Sequence, residues 1–210
     1  MISIMLVDDH AVVRMGFRVL LEGAGDMRVV AECASGEEAC RRVAESSADI
    51  VVLDLSMAGM GGLEAIDRLL ARHPDVRILV LSAHEDLSFP RRAMQAGARG
   101  YVTKRSAADV LIDAIRQVDQ GHLFLEPVLA QRMAVQQFSG VGNPADVLTA
   151  REFEVFLRLA QGRKAAEIAD SLFLSPRTVG THLYNIKQKL NAATSAELAL
   201  IAVRNGLLQP

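Results

Sequence analysis

Three carboxylates and an amine stand directly after apolar runs in this chain. Asp8 and Asp9 follow Ile4–Val7, Asp54 follows Ile50–Leu53, and Lys104 follows the run that ends at Thr103. A fourth run, Ile78–Leu81, leads into Ser82. Clustered acidic oxygens hold a hard cation such as Mg²⁺, and a lysine beside them suits a phosphate. An aspartate is a poor nucleophile, so phosphoryl transfer to it depends on positioning and on offsetting the charge of the incoming group. Asp8 and Asp9 suit the metal, one directly and one through water. Asp54 suits the acceptor and a further metal ligand. Lys104 would pair with the phosphoryl oxygens, and Ser82 would offer them a hydroxyl. Each residue alone has a plain structural reading, as a helix cap or a solvated amine. Brought to one edge, they point to phosphorylation of Asp54.

That convergence requires a particular architecture. Strands are predicted at 3–7, 27–32, 49–54, 76–82 and 99–103, alternating with helices at 11–23, 35–46, 62–73, 86–97 and 106–120. Ser35-Gly-Glu-Glu38 has the form of a capping box, Ser106 precedes the stripe Val110, Ile112, Ile115, Val118, and Gly121 lies where that helix should stop. Near-continuous Val, Ile and Leu in the strands implies a sheet covered on both faces, as in a parallel (βα)₅ domain. In such an open sheet the carboxyl ends of the strands share one edge, where ligands bind.

Residues 122–145 read as a linker, with Glu126–Phe138 able to form a short helix and Gly140, Gly142, Asn143 and Pro144 forming a turn-rich boundary. From 146 to 210 the pattern is helical throughout. Thr149-Ala-Arg-Glu152 is a second capping box, opening a helix with Phe153, Phe156, Leu157 and Leu159 or Ala160 inward. Lys164–Leu172 packs Ile168, Ala169 and Leu172. Ser175-Pro176 then starts a helix whose stripe is Val179, Leu183, Ile186 and Leu190, and a last helix covers 195–205 and stops at Gly206. Two helices joined by a tight Phe173–Ser175 turn read as helix-turn-helix. The third helix presents Arg177, Thr181, Tyr184 and Gln188 opposite its stripe, flanked by Gly180, Lys187 and Asn185. Such a face suits either a major-groove reader or an ordinary solvated surface.

Composition narrows the class. The chain has 210 residues, half of them hydrophobic, which suits one large domain or two small ones. The net charge of −2 is unevenly divided: residues 146–210 hold eight Lys/Arg against six Asp/Glu, compatible with nucleic acid. Cys33 and Cys40 fit neither a metal site nor a disulfide framework and read as reduced, mostly buried thiols. No membrane span or signal peptide is evident, so a cytoplasmic protein without membrane attachment is expected.

Val7-Asp8-Asp9-His10, Val51-Val-Leu-Asp54-Leu-Ser-Met57, Leu81-Ser82-Ala83 and Gly100-Tyr101-Val102-Thr103-Lys104 resemble the receiver domain of two-component response regulators. The resemblance spans residues 1–120, placing a receiver domain at 1–121, and implies a doubly wound, flavodoxin-like fold. It implies phosphotransfer from a sensor histidine kinase to Asp54, Mg²⁺ held by Asp8, Asp9, Asp54 and the Ser56 backbone carbonyl, and Ser82 turning to the phosphoryl group as Tyr101 swings inward. His10 enters as a supporting residue. Ala58 departs from the family, which usually has proline there, and this loosens the loop beside the acceptor.

Leu148-Thr-Ala-Arg-Glu152, Ala160-Gln-Gly162, Glu167-Ile-Ala169, Leu174-Ser175, Thr178-Val179, His182 and Lys189-Leu190 resemble the LuxR-type helix-turn-helix, completing a NarL/FixJ layout. This implies recognition by residues 175–190, with DNA contacts assigned to Lys164, Arg177, Thr178, Thr181, Tyr184, Asn185, Lys187 and Gln188. Gly180 and Ala165-Ala166 replace residues that commonly contact DNA in the family. The expected partners are the kinase, promoter DNA and a second copy when phosphorylated, with RNA polymerase as a further candidate. Asp54 would accept phosphate without turnover, so the chain is not read as an enzyme. Two other classes stay open here. One is an aspartate-dependent phosphatase of the haloacid dehalogenase kind, disfavoured by Ser56 where its acid should stand. The other is a helical domain that binds protein instead of DNA. Without phosphate, the domains are expected to pack so that the recognition helix is masked or the dimer disfavoured. The last helix, through Leu198, Ile201 and Ala202, is expected to pair the output domains.

Overall fold

Strands that are apolar on both faces need helices on both sides, and the computed structural model, which describes residues 1–84, 86–137, 144–205 and 207–208, has them. Five strands alternate with five helices: β1 (Ile2–Val7), α1 (Ala11–Gly23), β2 (Met27–Cys33), α2 (Gly36–Ser46), β3 (Ile50–Leu53), α3 (Gly62–Arg72), β4 (Arg77–Ser82), α4 (Ser88–Gln95), β5 (Gly100–Thr103) and α5 (Ala107–Asp119). All pair in parallel, in the order β2-β1-β3-β4-β5. The order reverses at β1, so the crevice beside β1 and β3 is the switch point where open sheets bind ligands. Along β1 the side chains alternate between two cores. Ile4 and Leu6 join the core that includes Leu111 and Ile115 of α5, and Met5 and Val7 join the one with Ala39, Leu63 and Ile66 of α2 and α3.

Past α5 the connecting segment holds the expected short helix and, before it, a strand that the sequence does not announce. Phe124–Leu125 forms β6, a sixth parallel strand beside β5, followed by α6 (Pro127–Gln137). Glu126 explains the attachment. Its Oε1 accepts from the Thr103 amide at 2.5 Å and from Ser106 Oγ at 2.6 Å. Ser106 therefore makes no side-chain cap on α5, contrary to the expected helix start. Gly140, Gly142 and Asn143, assigned to the boundary, and Gly206, assigned to the last helix end, lie outside the described residues.

The C-terminal helices are α7 (Pro144–Val147), α8 (Ala150–Ala160), α9 (Ala165–Leu172), α10 (Pro176–Leu190) and α11 (Ser195–Arg204). Thr149 and Glu152 form a complete capping box on α8, and Ser175 caps α10 with Pro176 in its first turn. Leu198 and Ala202 of α11 are fully buried in this helical domain, so they are not free to pair two copies; Leu200 is exposed instead.

Helix α8 is buried nearly all round, including Glu152, Val155 and Glu154. The reason is that the two halves are docked. Arg151 Nη1 donates to the carbonyls of Gly59 (2.7 Å) and Met60 (3.1 Å) in the β3–α3 loop, and its Nη2 donates to Leu172 (2.6 Å). Glu154 lies against Gly61, whose φ of +75° and lack of a side chain leave room for the carboxylate. On the α4 side Arg92 Nη2 donates to the Leu148 carbonyl at 2.7 Å, and its guanidinium lies 4.6 Å above the Phe153 ring. One apolar core runs through the contact, from the sheet to Leu198.

Burial pushes the Glu154 carboxyl up to about 7, against the pull of Arg151 and Arg158, while Glu64 adds to the rise. A carboxyl raised by docking binds a proton in the docked form over a range where the free form has lost it. Docking is therefore strongest near the ordinary carboxylate value of 4.5 and weakens as the pH rises through about 7. We expect the docked fraction, read from small-angle scattering, to fall between pH 5.5 and pH 8 and to lose most of that dependence in Glu154→Gln. A pH-independent docked fraction in the unsubstituted chain would contradict this.

Candidate functional site

Register sets the acidic cluster. Val7 pairs with Leu53, Leu53 with Val80, and Ser82 with Thr103, so residues 8, 54, 82 and 104 emerge side by side. The backbone fastens them there: the Asp54 amide donates to Val7 and the Lys104 amide to Ser82, both at 2.8 Å. Asp8, Asp54 and Ser82 are buried, while Asp9 is exposed. Lys104 Nζ donates to Asp8 Oδ2 at 2.6 Å and to Asp54 Oδ2 at 2.8 Å.

Burial is the largest influence on the Asp54 carboxyl and raises it, with Asp8 adding to the rise; Lys104 and the Ser56 amide work in the opposite direction. For Lys104 burial alone would lower the ammonium, but its bonds to Asp54 and Asp8 outweigh that and raise it. Ligand atoms of Asp8, Asp9, His10 and Asp54 lie within 4.8 Å of one another. Three carboxylates make an oxygen-rich set suited to a small hard cation, and His10 Nδ1 sits 2.7 Å from Asp9 Oδ1 as a neighbour to that set.

Ser56 reaches the site through its amide, which donates to Asp54 Oδ1 at 3.0 Å, and its hydroxyl lies 3.1 Å from His84 Nε2. Tyr101 is fully buried with its ring already inward, and its hydroxyl donates to the His84 carbonyl at 2.7 Å. Ser82 Oγ accepts from the His84 amide at 3.2 Å.

Sequence reasoning missed three contributors. Arg14 Nη1 donates to the Asp8 carbonyl at 2.5 Å, holding the β1–α1 turn; an arginine breaking the apolar run of α1 was its only signal. His84 gives no sequence signal, because a lone histidine after a strand carries no pattern. The Ala58 amide lies 3.4 Å from Asp9 Oδ2 as donor. Proline has no N–H, so the departure read as loosening the loop also supplies a tie to the cluster.

On α10, Arg177, Gly180, Thr181, Tyr184 and Gln188 are exposed on one face, so the face expected to read DNA is not covered by the docked N-terminal domain. Lys164 is exposed at the start of α9 and Asn185 is half-buried. Thr178 and Lys187 have duties inside the domain: Thr178 Oγ1 lies 2.8 Å from the capping Ser175 hydroxyl, and Lys187 Nζ donates to the Ala193 carbonyl at 2.9 Å. Among the described residues a side chain at Gly180 would meet nothing within 4 Å, so none of them requires glycine there.

A family model described as the response regulator receiver domain matches residues 4–116, and one described as bacterial regulatory proteins of the luxR family matches 146–202. The chain is 40% identical over 210 residues to the response regulator GacA of Pseudomonas viridiflava, covering 99% of this chain and 98% of that one. It is 38% identical over 209 residues to the response regulator UvrY of Escherichia coli K12, covering 99% and 96%. Its fold resembles RcsB of Salmonella enterica serovar Typhimurium, solved on the promoter rprA with the phosphomimetic BeF3-, at a TM-score of 0.70 and 23% identity over 97% of this chain and 99% of that one.

The double bond of Lys104 yields a test at this level. Lys104→Ala leaves two adjacent buried carboxylates with no cation between them, a loss on the order of 1–3 kcal/mol for a part-buried pair. The variant should stay folded but melt lower at pH 7. The deficit should narrow as the pH falls toward the carboxylate range, because protonating Asp54 removes the repulsion. An unchanged melting temperature at pH 7 would show that the lysine does not balance this site.

Proposed function

Because the chain belongs to the response regulators that join a receiver domain to a LuxR-type DNA-binding domain, we propose that a sensor histidine kinase phosphorylates it on Asp54 and so controls its regulation of transcription. The observation that carries this reading is the convergence of Asp8, Asp9, Asp54 and Lys104 at one sheet edge. Asp54 has the acceptor role: it is anchored by the Val7 carbonyl and flanked by the only amine at the cluster among the described residues. Asp8, Asp9, Asp54 and the Ser56 carbonyl would hold Mg²⁺, which when bound offsets the negative charge that opposes phosphoryl transfer. Lys104 then shifts its hydrogen bonds to phosphoryl oxygens, Ser82 gives its hydroxyl to the same group, and Tyr101 fills the space behind it. The phosphate stays on the protein until hydrolysis, so the chain works stoichiometrically and is no turnover enzyme.

The domain division we adopt is a receiver at 1–121, a connection at 122–145 and a DNA-binding domain at 146–210. In the last, Arg177, Thr181, Tyr184 and Gln188 face the major groove, with Lys164, Thr178, Asn185 and Lys187 beside them. Promoter DNA is the partner of that face. Dimerisation follows phosphorylation through one of two receiver surfaces, that of α4, β5 and α5 or that of α1 and α5, and the exposed Val12, Met15 and Val19 on α1 favour the second. RNA polymerase is the natural downstream partner of a bound activator. No helix among the described residues is long and apolar enough to cross a membrane, in keeping with a cytoplasmic location.

Two measurements test this. Acetyl phosphate with Mg²⁺ should add one phosphate to the chain and none to Asp54→Asn, read by intact-protein mass; labelling of the variant would displace Asp54 from the role. Removing Mg²⁺, or Asp9→Ala, should block the addition. At Gly180 the space around the helix predicts that Gly180→Lys folds normally, because lysine is the better helix former by about 1 kcal/mol. Its affinity for the protein's own upstream DNA should rise, with the log K versus log salt slope steeper by roughly 0.9 for each added phosphate contact. Unchanged affinity and slope would place position 180 away from DNA.

A further inference from the structure

His84 is held by three residues of the candidate phosphoacceptor site at once. Its amide donates to Ser82 Oγ at 3.2 Å, its carbonyl accepts from the Tyr101 hydroxyl at 2.7 Å, and its Nε2 lies 3.1 Å from Ser56 Oγ. Ser56 in turn bonds Asp54 through its amide. The remaining face of the imidazole points elsewhere. It stacks on Phe89 of α4 with centroids 3.8 Å apart and planes 1° from parallel. Phe89 meets Phe153 of α8 edge to face at 5.6 Å, and Phe153 is fully buried in the DNA-binding domain, 6.3 Å from Phe156. An unbroken chain of contacts, through the Ser56 backbone amide and then from side chain to side chain, thus leads from Asp54 to the core of the output domain.

We propose that His84 is the positioning residue through which phosphorylation of Asp54 reaches the docking of the DNA-binding domain. This rests on the reading of Asp54 as acceptor and Ser82 as the hydroxyl that turns to the phosphoryl group. When the Ser82 hydroxyl turns to donate to a phosphoryl oxygen, its Oγ swings away from the His84 amide, which loses its acceptor. The same event draws on Ser56, which anchors the other end of the ring. The imidazole then has no reason to keep its parallel place over Phe89, and the Phe89–Phe153 contact that helps hold α8 against α4 weakens with it. Burial keeps this ring neutral, with its value pushed down to about 4 by desolvation first and by Arg158 and Lys104 after that. The stack is therefore a contact of two uncharged rings throughout the neutral range, and the signal is geometric. Linkage makes the coupling reciprocal: undocking by DNA must favour the phosphorylated form to the same degree.

The test uses the full chain with spin labels on Arg28→Cys and Leu200→Cys, both exposed positions in opposite domains, since Cys33 and Cys40 are buried. In the labelled parent, beryllofluoride with Mg²⁺ should lengthen the interdomain distance. His84→Ala should raise the open fraction without beryllofluoride by about two- to tenfold, the change one aromatic pair supports, and beryllofluoride should add little more. His84→Phe keeps the ring and both backbone bonds but loses the Ser56 partner, and should restore the closed distance. Phe89→Leu, which keeps an apolar contact to Phe153 but no stack, should open like His84→Ala. Phosphate uptake from acetyl phosphate is followed in parallel. Normal uptake with parent-like distances in His84→Ala and Phe89→Leu would overturn the coupling alone. A parent chain that takes no phosphate on Asp54 would overturn the acceptor reading and the coupling together.

Discussion

The bond of one ammonium to two buried carboxylates holds the sheet edge together. Lys104 ties the end of β5 to the ends of β1 and β3, through Asp8 at 2.6 Å and Asp54 at 2.8 Å. Two like unit charges about 4 Å apart repel by ~4 kcal/mol at an effective dielectric of ~20, and the ammonium placed between the two carboxylates offsets that repulsion. With Asp9 counted, three carboxylates and one lysine leave two uncompensated negative charges, the amount one divalent cation neutralises. A phosphoryl group on Asp54 would replace a carboxylate partner of Lys104 with a stronger acceptor, and the hydrogen bonds of the whole edge must then be redistributed. The Ser82, Ser56 and Tyr101 bonds to His84 belong to that same edge.

Most of the receiver could be read from the sequence because its elements advertise themselves locally. Parallel strands buried on both faces are continuous runs of Val, Ile and Leu, and Asp8, Asp54, Ser82 and Lys104 each stand where such a run ends. The capping box at Thr149 and the Ser175-Pro176 start likewise depend on residues three or four apart. The failures share the opposite property. Two residues of β6 are too short to carry a pattern, and they are fixed by Glu126 bonding Thr103 and Ser106, twenty or more positions away. Ser106 looked like a cap because nothing local shows that its hydroxyl has a distant partner.

Helix α8 is the clearest case of a face that cannot be read in isolation. Its apolar side, Phe153, Phe156 and Leu157, was legible from spacing. Its other side carries Arg151, Glu154 and Arg158, which any amphipathic reading assigns to water. The structure buries that side because Arg151 finds backbone carbonyls in the β3–α3 loop and Glu154 finds the space left by Gly61. Charged residues that satisfy another domain's backbone look, in sequence, like charged residues that face solvent.

The docked arrangement also separates two ways of restraining a regulator. Covering the recognition helix would stop DNA binding by contact, but Arg177, Thr181, Tyr184 and Gln188 remain exposed here. What docking occupies is α4, through Phe89 against Phe153 and Arg92 against Leu148. What it leaves open is α1, with Val12, Met15 and Val19 facing water. A dimer built on the α4 face therefore requires the domains to part, whereas one built on α1 can form while they stay together. Two output domains held rigidly on their receivers can meet paired half-sites only if that fixed geometry happens to match their spacing. Restraint by docking would thus act on how two copies of α10 are placed relative to each other, and a single exposed helix is compatible with it.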